Sequence, residues 1–301
     1  ELATVSTVAA NGGLIGRVPT TLTIEPDGHS IALVPTQPWA PATSFFIFHQ
    51  FSGGFAEGAF STSNAVDTTP PNLIATSIAD ASTGVPTNAA LQARFDEPIS
   101  AVRVGLVLRR NGQVVAATGA LSSDRRTAML KLVQPLIANT SYTLTIAGIE
   151  DPSRNVLAGE HVVTFTTGAG ADFTKPVITA RTPPLNATNV PRSNPVLEVQ
   201  FNDRINPVTV TPDRVALTRG NISVPLTVTV SADGTKLRFV PSQVLEPNQL
   251  YLLNARETED LANNTLFPPG SFSPLLNFTT GTTLTTATPP AAEQSATASQ
   301  R

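Results

Sequence analysis

The chain has 301 residues, with 19 Lys and Arg against 22 Asp and Glu; the net charge of −3 and the lack of any basic block argue against nucleic acid as a partner. Only 14% of residues are charged, while 41% are hydrophobic and 26 are proline, a balance that favours strands and turns over Lys–Glu-paired helices. Cysteine is absent, which removes disulfides, thiol catalysis and zinc–thiolate sites, and no apolar run approaches the roughly 18–20 residues of a membrane span.

Taken from the N-terminus, one block is written three times without a gap: residues 26–46, 123–143 and 232–252. Each has an Asp at its second position (Asp27, Asp124, Asp233) followed six residues later by Leu33, Leu130 or Phe239. Twelve residues after the Asp come Trp39, Leu136 and Leu245, and eighteen after it Phe45, Tyr142 and Tyr251. The copies end on Phe60, Phe165 and Phe278, spaced by 105 and 113 residues. Solenoid repeats are shorter, about 20–50 residues. A period near one hundred is the size of a domain with its own core, so the copies are expected to fold as beads on a string.

The first copy, residues 1–66, is expected to be a partial domain. Aligning Val5 with Val215 leaves four residues where the third copy has a long opening, so strands equivalent to 176–181 and 196–201 have no counterpart. The segment FFIFHQF (45–51) carries four aromatics among seven residues, and reads either as a strand buried on both faces or as a surface wanting a partner. Three completions are open: strands lying upstream, strands donated by another subunit, or a diverged topology. The chain begins at Glu1 without a signal peptide and is expected to be a piece of something longer.

The second copy, 67–171, reads as LQARF (91–95), LVLRR (106–110), AMLKL (128–132), YTLTI (142–146) and VVTFT (162–166). In the third copy, 172–281, VLEVQF (196–201) and PLTVTV (225–230) alternate, SADG (231–234) turns, and LRFV (237–240) returns. Residues 190–193 read as a turn. About seven short strands per hundred residues is the signature of a β-sandwich, and the aromatic after the crossing resembles a tyrosine corner. Phe45 lacks the hydroxyl for that corner's hydrogen bond. The tail, 282–301, is rich in Thr, Ala, Ser and Pro with only Leu284 as a large apolar residue, and reads as flexible.

The motifs carry a family resemblance. The second copy has Phe95-Asp-Glu-Pro-Ile99, Asp151-Pro-Ser-Arg-Asn155 and Phe165-Thr-Thr167; the third has Phe201-Asn-Asp-Arg-Ile205, Asp260-Leu-Ala-Asn-Asn264 and Phe278-Thr-Thr280. This pattern resembles the bacterial Ig-like domains of surface-layer and adhesin proteins, closely over 67–281 and partially over 14–62. The resemblance implies an all-β fold of tandem immunoglobulin-like sandwiches and a bacterial, extracellular or cell-surface setting. It implies little about function, because such sandwiches host many roles.

Three histidines, His29, His49 and His161, in non-equivalent positions make a catalytic triad or a His-metal cluster improbable, and no catalytic, cofactor or metal residue is assigned. Acids cluster at Asp96-Glu97, Glu150-Asp151 and Glu257, Glu259 and Asp260. Calcium is the metal they could hold, but the simpler reading has Asp151 and Asp260 accepting backbone N–H groups, with Asn155 and Asn264 closing each loop. The joints, Asp67-Thr-Thr-Pro-Pro71 and Asp172-Phe-Thr-Lys-Pro176, are short and stiffened by proline. The expected function is structural: a semi-rigid rod serving as stalk, adhesin shaft or filament protomer, whose partners are other protein domains or copies of itself. Two other readings stand beside it, a glycan-binding module around Trp39 and Phe45–Phe51, and an accessory spacer of a larger secreted hydrolase.

Overall fold

The computed structural model describes residues 2–8, 13–24, 31–100, 105–255, 257–267, 274–282 and 284, which leaves Asp27, His29 and nearly all of the tail outside it. Its regular structure is all β, apart from one 3-10 turn at Pro207–Thr209. The chain divides into a unit Glu1–Thr69 and a second unit from Pro70 onward that holds two sandwiches.

In the first unit, β1 (Leu2–Val8), β2 (Leu14–Val18), β5 (Ser44–Phe51) and β6 (Gly54–Ser61) form one antiparallel sheet in the order β2-β1-β5-β6. A hairpin of β3 (Thr20–Ile24) and β4 (Ile31–Pro35) makes a separate two-stranded sheet. The aromatic strand β5 is therefore central, with Phe45 buried and Phe46, Ile47 and Phe48 half-buried. β5 and β6 join through a tight turn: Phe51 faces Gly54, and Gly53 takes φ of 114°.

The second domain comprises β7 (Leu73–Thr76), β8 (Ser82–Val85), β9 (Leu91–Phe95), β10 (Leu106–Arg110), β11 (Gln113–Val114), β12 (Ala117–Leu121), β13 (Thr127–Leu132), β14 (Ser141–Ala147) and β15 (Glu160–Thr167). One sheet runs β11-β10-β14-β15-β8 and the other β12-β13-β9-β7. The third domain repeats this with β16 (Ile178–Thr182), β17 (Ala187–Val190), β18 (Leu197–Phe201), β19 (Val215–Arg219), β20 (Ile222–Val224), β21 (Leu226–Val230), β22 (Lys236–Pro241), β23 (Leu250–Ala255) and β24 (Leu276–Thr280). Its sheets run β17-β24-β23-β19-β20 and β16-β18-β22-β21.

Each complete domain thus has nine strands rather than seven. The additions are very short: β11 and β20 close hairpins, and β8 and β17 pair parallel to β15 and β24. Segments of two to four residues show too little alternation to be read as strands. Register also corrects one alignment. Val5 faces Ile47, two residues past Phe45, as Leu217 faces Leu253 two residues past Tyr251. Val5 therefore corresponds to Leu217 and Ala3 to Val215. A two-residue shift keeps every side chain on its face of the strand.

The repeated block marks the crossing between the sheets. The Tyr142 hydroxyl accepts the Ile137 N–H at 2.8 Å, and the Tyr251 hydroxyl accepts that of Glu246 at 2.8 Å. Each ring stacks on the closing phenylalanine, Tyr142 on Phe165 and Tyr251 on Phe278, with centroids 5.6 Å apart. A threonine locks the same crossing: Thr167 accepts from Thr140 N–H and donates to Ile137 C=O, and Thr280 does so with Gln249 and Glu246. In the first unit Thr62 keeps this lock, accepting from Thr43 N–H and donating to Ala40 C=O. There Trp39 packs edge-on to Phe45 at 4.8 Å. Tyr251→Phe is expected to cost about 1–2 kcal/mol in urea unfolding, because the Glu246 N–H loses its partner in a part-buried setting.

Candidate functional site

The chemistry of the second unit concentrates where its two domains meet. The fourth residue of β9, Arg94, is 1% exposed. Its guanidinium donates to Asp124 at 3.1 Å and to the Thr127 hydroxyl at 2.9 Å within its own domain, and across the joint to Asp213. Asp213 lies between the 3-10 turn and β19, and that turn packs against β7 and β9. Asn206 caps the turn by accepting the Val208 N–H at 3.0 Å and also donates across the joint to Gln92 at 2.9 Å. Beside this lie Ala90 N–H to Leu261 C=O at 2.7 Å and Arg204 to Thr83 C=O at 2.7 Å. Asn88 clasps the linker from both sides, donating to Asp172 C=O and accepting its N–H. The two domains of this unit are thus joined by side-chain and backbone hydrogen bonds as well as by the linker.

Electrostatics follow the geometry. Partial burial works against the ionised form of Asp124, yet the Ser122 hydroxyl, the Arg126 N–H and Arg94 together hold it at about 2. Asp213 is likewise lowered: burial opposes ionisation, but Arg94 and the Thr211 hydroxyl outweigh it. Gln200 holds the position of Arg94 in β18 and donates to the Thr235 hydroxyl at 2.9 Å.

A second feature is a group of carboxylates, Asp172, Asp203 and Asp260, whose oxygens lie within 4.8 Å of one another. The donors are hard oxygens of the kind calcium takes, but most are engaged. Asp260 accepts from Ala262 and Asn264 N–H through one oxygen and from the Asn264 amide through the other. Asp172 accepts from Thr174 N–H and hydroxyl, and Asp203 from Arg204 N–H. Burial, then the neighbouring charges, pushes Asp203 up, and burial also raises Asp260 against its hydrogen bonds.

A raised carboxyl pKa means folding favours the protonated form. The stability this group contributes is present at low pH and lost as pH rises through the raised pKa. Asp203→Asn keeps an acceptor for Arg204 N–H and removes that loss. Melting curves between pH 3 and 8 are expected to show the variant more stable above the carboxylate range and equal to the parent near pH 3. A variant no more stable at pH 7 contradicts this account.

Of the other acids named from sequence, Glu97 and Asp151 bring carboxylate oxygens within 4.8 Å of each other, and the rest hold local positions. Asp151 repeats the Asp260 loop, accepting from Asn155 N–H at 2.9 Å and its amide at 2.7 Å. Asp96 clips the opening strand by accepting from Asn72 N–H at 2.8 Å, and Asn202 does the same for Val177 N–H at 2.7 Å, so the charge is dispensable there. Glu257 pairs with Arg214. Glu259 is pushed up by burial, then by Glu257. Glu150 bridges to Val156. His49 lies in β5 and His161 in β15, in different units. Trp39 packs against both Phe45 and Phe60, so its ring serves the interior of the first unit. Sequence reasoning missed Arg94, Asp213 and Asp203. The one available signal was an arginine, Arg94, one residue before the closing Phe of a strand.

Two tandem segments, 67–167 and 172–280, match the family model described as bacterial Ig-like domain. No curated protein matches the chain. Among solved structures, the N-terminal part of the bacterial S-layer protein SbsC aligns at 14% identity and TM-score 0.27, over 71% of this chain and 44% of that one. This chain thus spans less than half of that structure. A chimeric titin Z1Z2 aligns at 16% identity and TM-score 0.25, over 71% and 97%. Sidekick-1 immunoglobulin domains 1–4 align at 12% and 0.20, over 93% and 65%.

Proposed function

The chain belongs to the bacterial Ig-like domain family, and from that premise we propose that it is a structural module of a cell-surface or secreted protein: a spacer used as stalk, adhesin shaft or filament protomer. The observation that carries this reading is the joint centred on Arg94, which couples the two complete domains through a buried guanidinium and backbone hydrogen bonds. A linker made only to tether would leave such polar groups to water. Fixing the angle between two domains serves a protein that transmits force or holds a distance.

Spin labels at exposed Val114 and Ile222 test the coupling. A single narrow distance distribution is expected, broadened by Arg94→Ala; a broad distribution in the parent chain overturns the reading. Labelling of intact cells with an antibody to this chain tests the location, and signal that appears only after lysis counts against it.

A further inference from the structure

In both complete domains an opening segment of three strands closes the sandwich. One strand, β8 or β17, runs parallel to the closing strand, and Thr280 faces Val190 there as Thr167 faces Val85. Another, β9 or β18, pairs antiparallel with β13 or β22 and carries the core side chains Leu91, Ala93 and Phe95 or Leu197, Val199 and Phe201. By register, β6 corresponds to β15 and β24, and β4 to β13 and β22. No described strand lies beyond either β6 or β4.

The interior of the first unit shows what is missing. Among its residues whose burial is described only Val5 and Phe45 are buried hydrophobics, against 18 and 19 in the two later cores. Phe60 is only half-buried, although its counterparts Phe165 and Phe278 are 2% and 0% exposed. Leu22 and Ile31 on the hairpin are exposed, and an open apolar groove of about 440 Å³ runs past Leu14, Phe45, Phe46 and Phe60.

We infer that β4 and β6 seat an Ig-like opening segment of the kind this chain uses at residues 176–201, placed ahead of β1 in chain order. One of its strands adds parallel to β6, as β17 does to β24. The next adds antiparallel to β4 and turns alternating large apolar side chains between the sheets, as β18 does against β22. This seat is an established interface in both later domains, which fixes the occupant's chemistry and its order. A second copy is a poor donor, because its own opening segments already fill its own cores. The tail is no better, since Leu284 is its only large apolar residue. The pairing holds whether or not the domains serve as a spacer.

The test grafts residues 172–214 ahead of Ala3 in the full chain, using the Ala3–Val215 correspondence. A control graft carries Leu197, Val199 and Phe201 changed to Ser. Amide hydrogen exchange is read in Ile31–Pro35 and Gly54–Ser61, at the amides that point away from β3 and β5. The apolar graft is expected to slow exchange in both strands about 100-fold, and the control is not. If the graft misfolds, a peptide of residues 172–203 added in trans reads the same strands. Unchanged exchange with both graft and peptide overturns the inference. So does an ungrafted chain already protected there, and concentration dependence of that protection would place a second copy in the seat.

Discussion

Arg94→Ala is expected to destabilise the second unit by about 3 kcal/mol and to split its unfolding into two steps. The guanidinium is 1% exposed while its partners Asp124 and Asp213 are about 40% exposed, so the variant strands two half-buried carboxylates beside each other. Removing one partner of a fully buried pair costs roughly 3–5 kcal/mol; solvent reaching the carboxylates places this case at the low end. The arginine stem also fills space in β9, so part of the loss is packing. Arg94→Met keeps that packing and is expected to lose about half as much. In urea, hydrogen exchange at β14 and β23 separates coupled from independent opening. The parent chain opens both together; the variant opens them at different denaturant concentrations. A single shared transition in Arg94→Ala shows the joint to be ornamental.

The same joint should respond to acid. Asp124 and Asp213 are held below the ordinary carboxylate range, so the stability they contribute is present above pH 4 and lost as pH falls towards 2. Without Arg94 the two pKa values move back up and the acid limb of the stability profile becomes shallower.

Phe278→Ala is expected to cost about 4 kcal/mol. The ring is fully buried, stacks on Tyr251 at 5.6 Å and reaches across the core of the third domain. A truncation there loses the transfer energy of the ring and leaves a cavity that rigid sheets cannot collapse, which runs about 3–5 kcal/mol. The equivalent change in the first unit, Phe60→Ala, is expected to cost less than half of that, because Phe60 is only partly buried to begin with. Urea midpoints of the two variants, each read in its own unit, make the comparison. Equal losses would mean that the first unit is as well packed as the third domain.

Much of the fold was legible because it rests on short-range rules. Short apolar runs placed β9, β14, β18 and β21, and an Asp with an Asn four residues on gave both carboxylate-capped loops. The tyrosine hydroxyls follow from the same block. What was not legible is the chemistry that joins distant segments. Arg94 meets Asp213 across 119 residues, in a loop without periodicity, and a charged residue on a strand reads by default as facing water. The parallel strands β8 and β17 were missed because four residues beside a glycine or proline look like a turn. Val5 was placed two residues off because strand parity is unchanged by that shift, and only pairing with β5 resolves it.

Where the second domain has Arg94, the third has Gln200, turned onto its own Thr235. A glutamine carries no charge to offer an aspartate in a following domain. The two sandwiches are therefore not interchangeable bricks. Exchanging their order would part Asp213 from Arg94, which would keep only Asp124 and Thr127 of its own domain, so this joint encodes a direction: a shuffled pair would assemble at another angle or not at all.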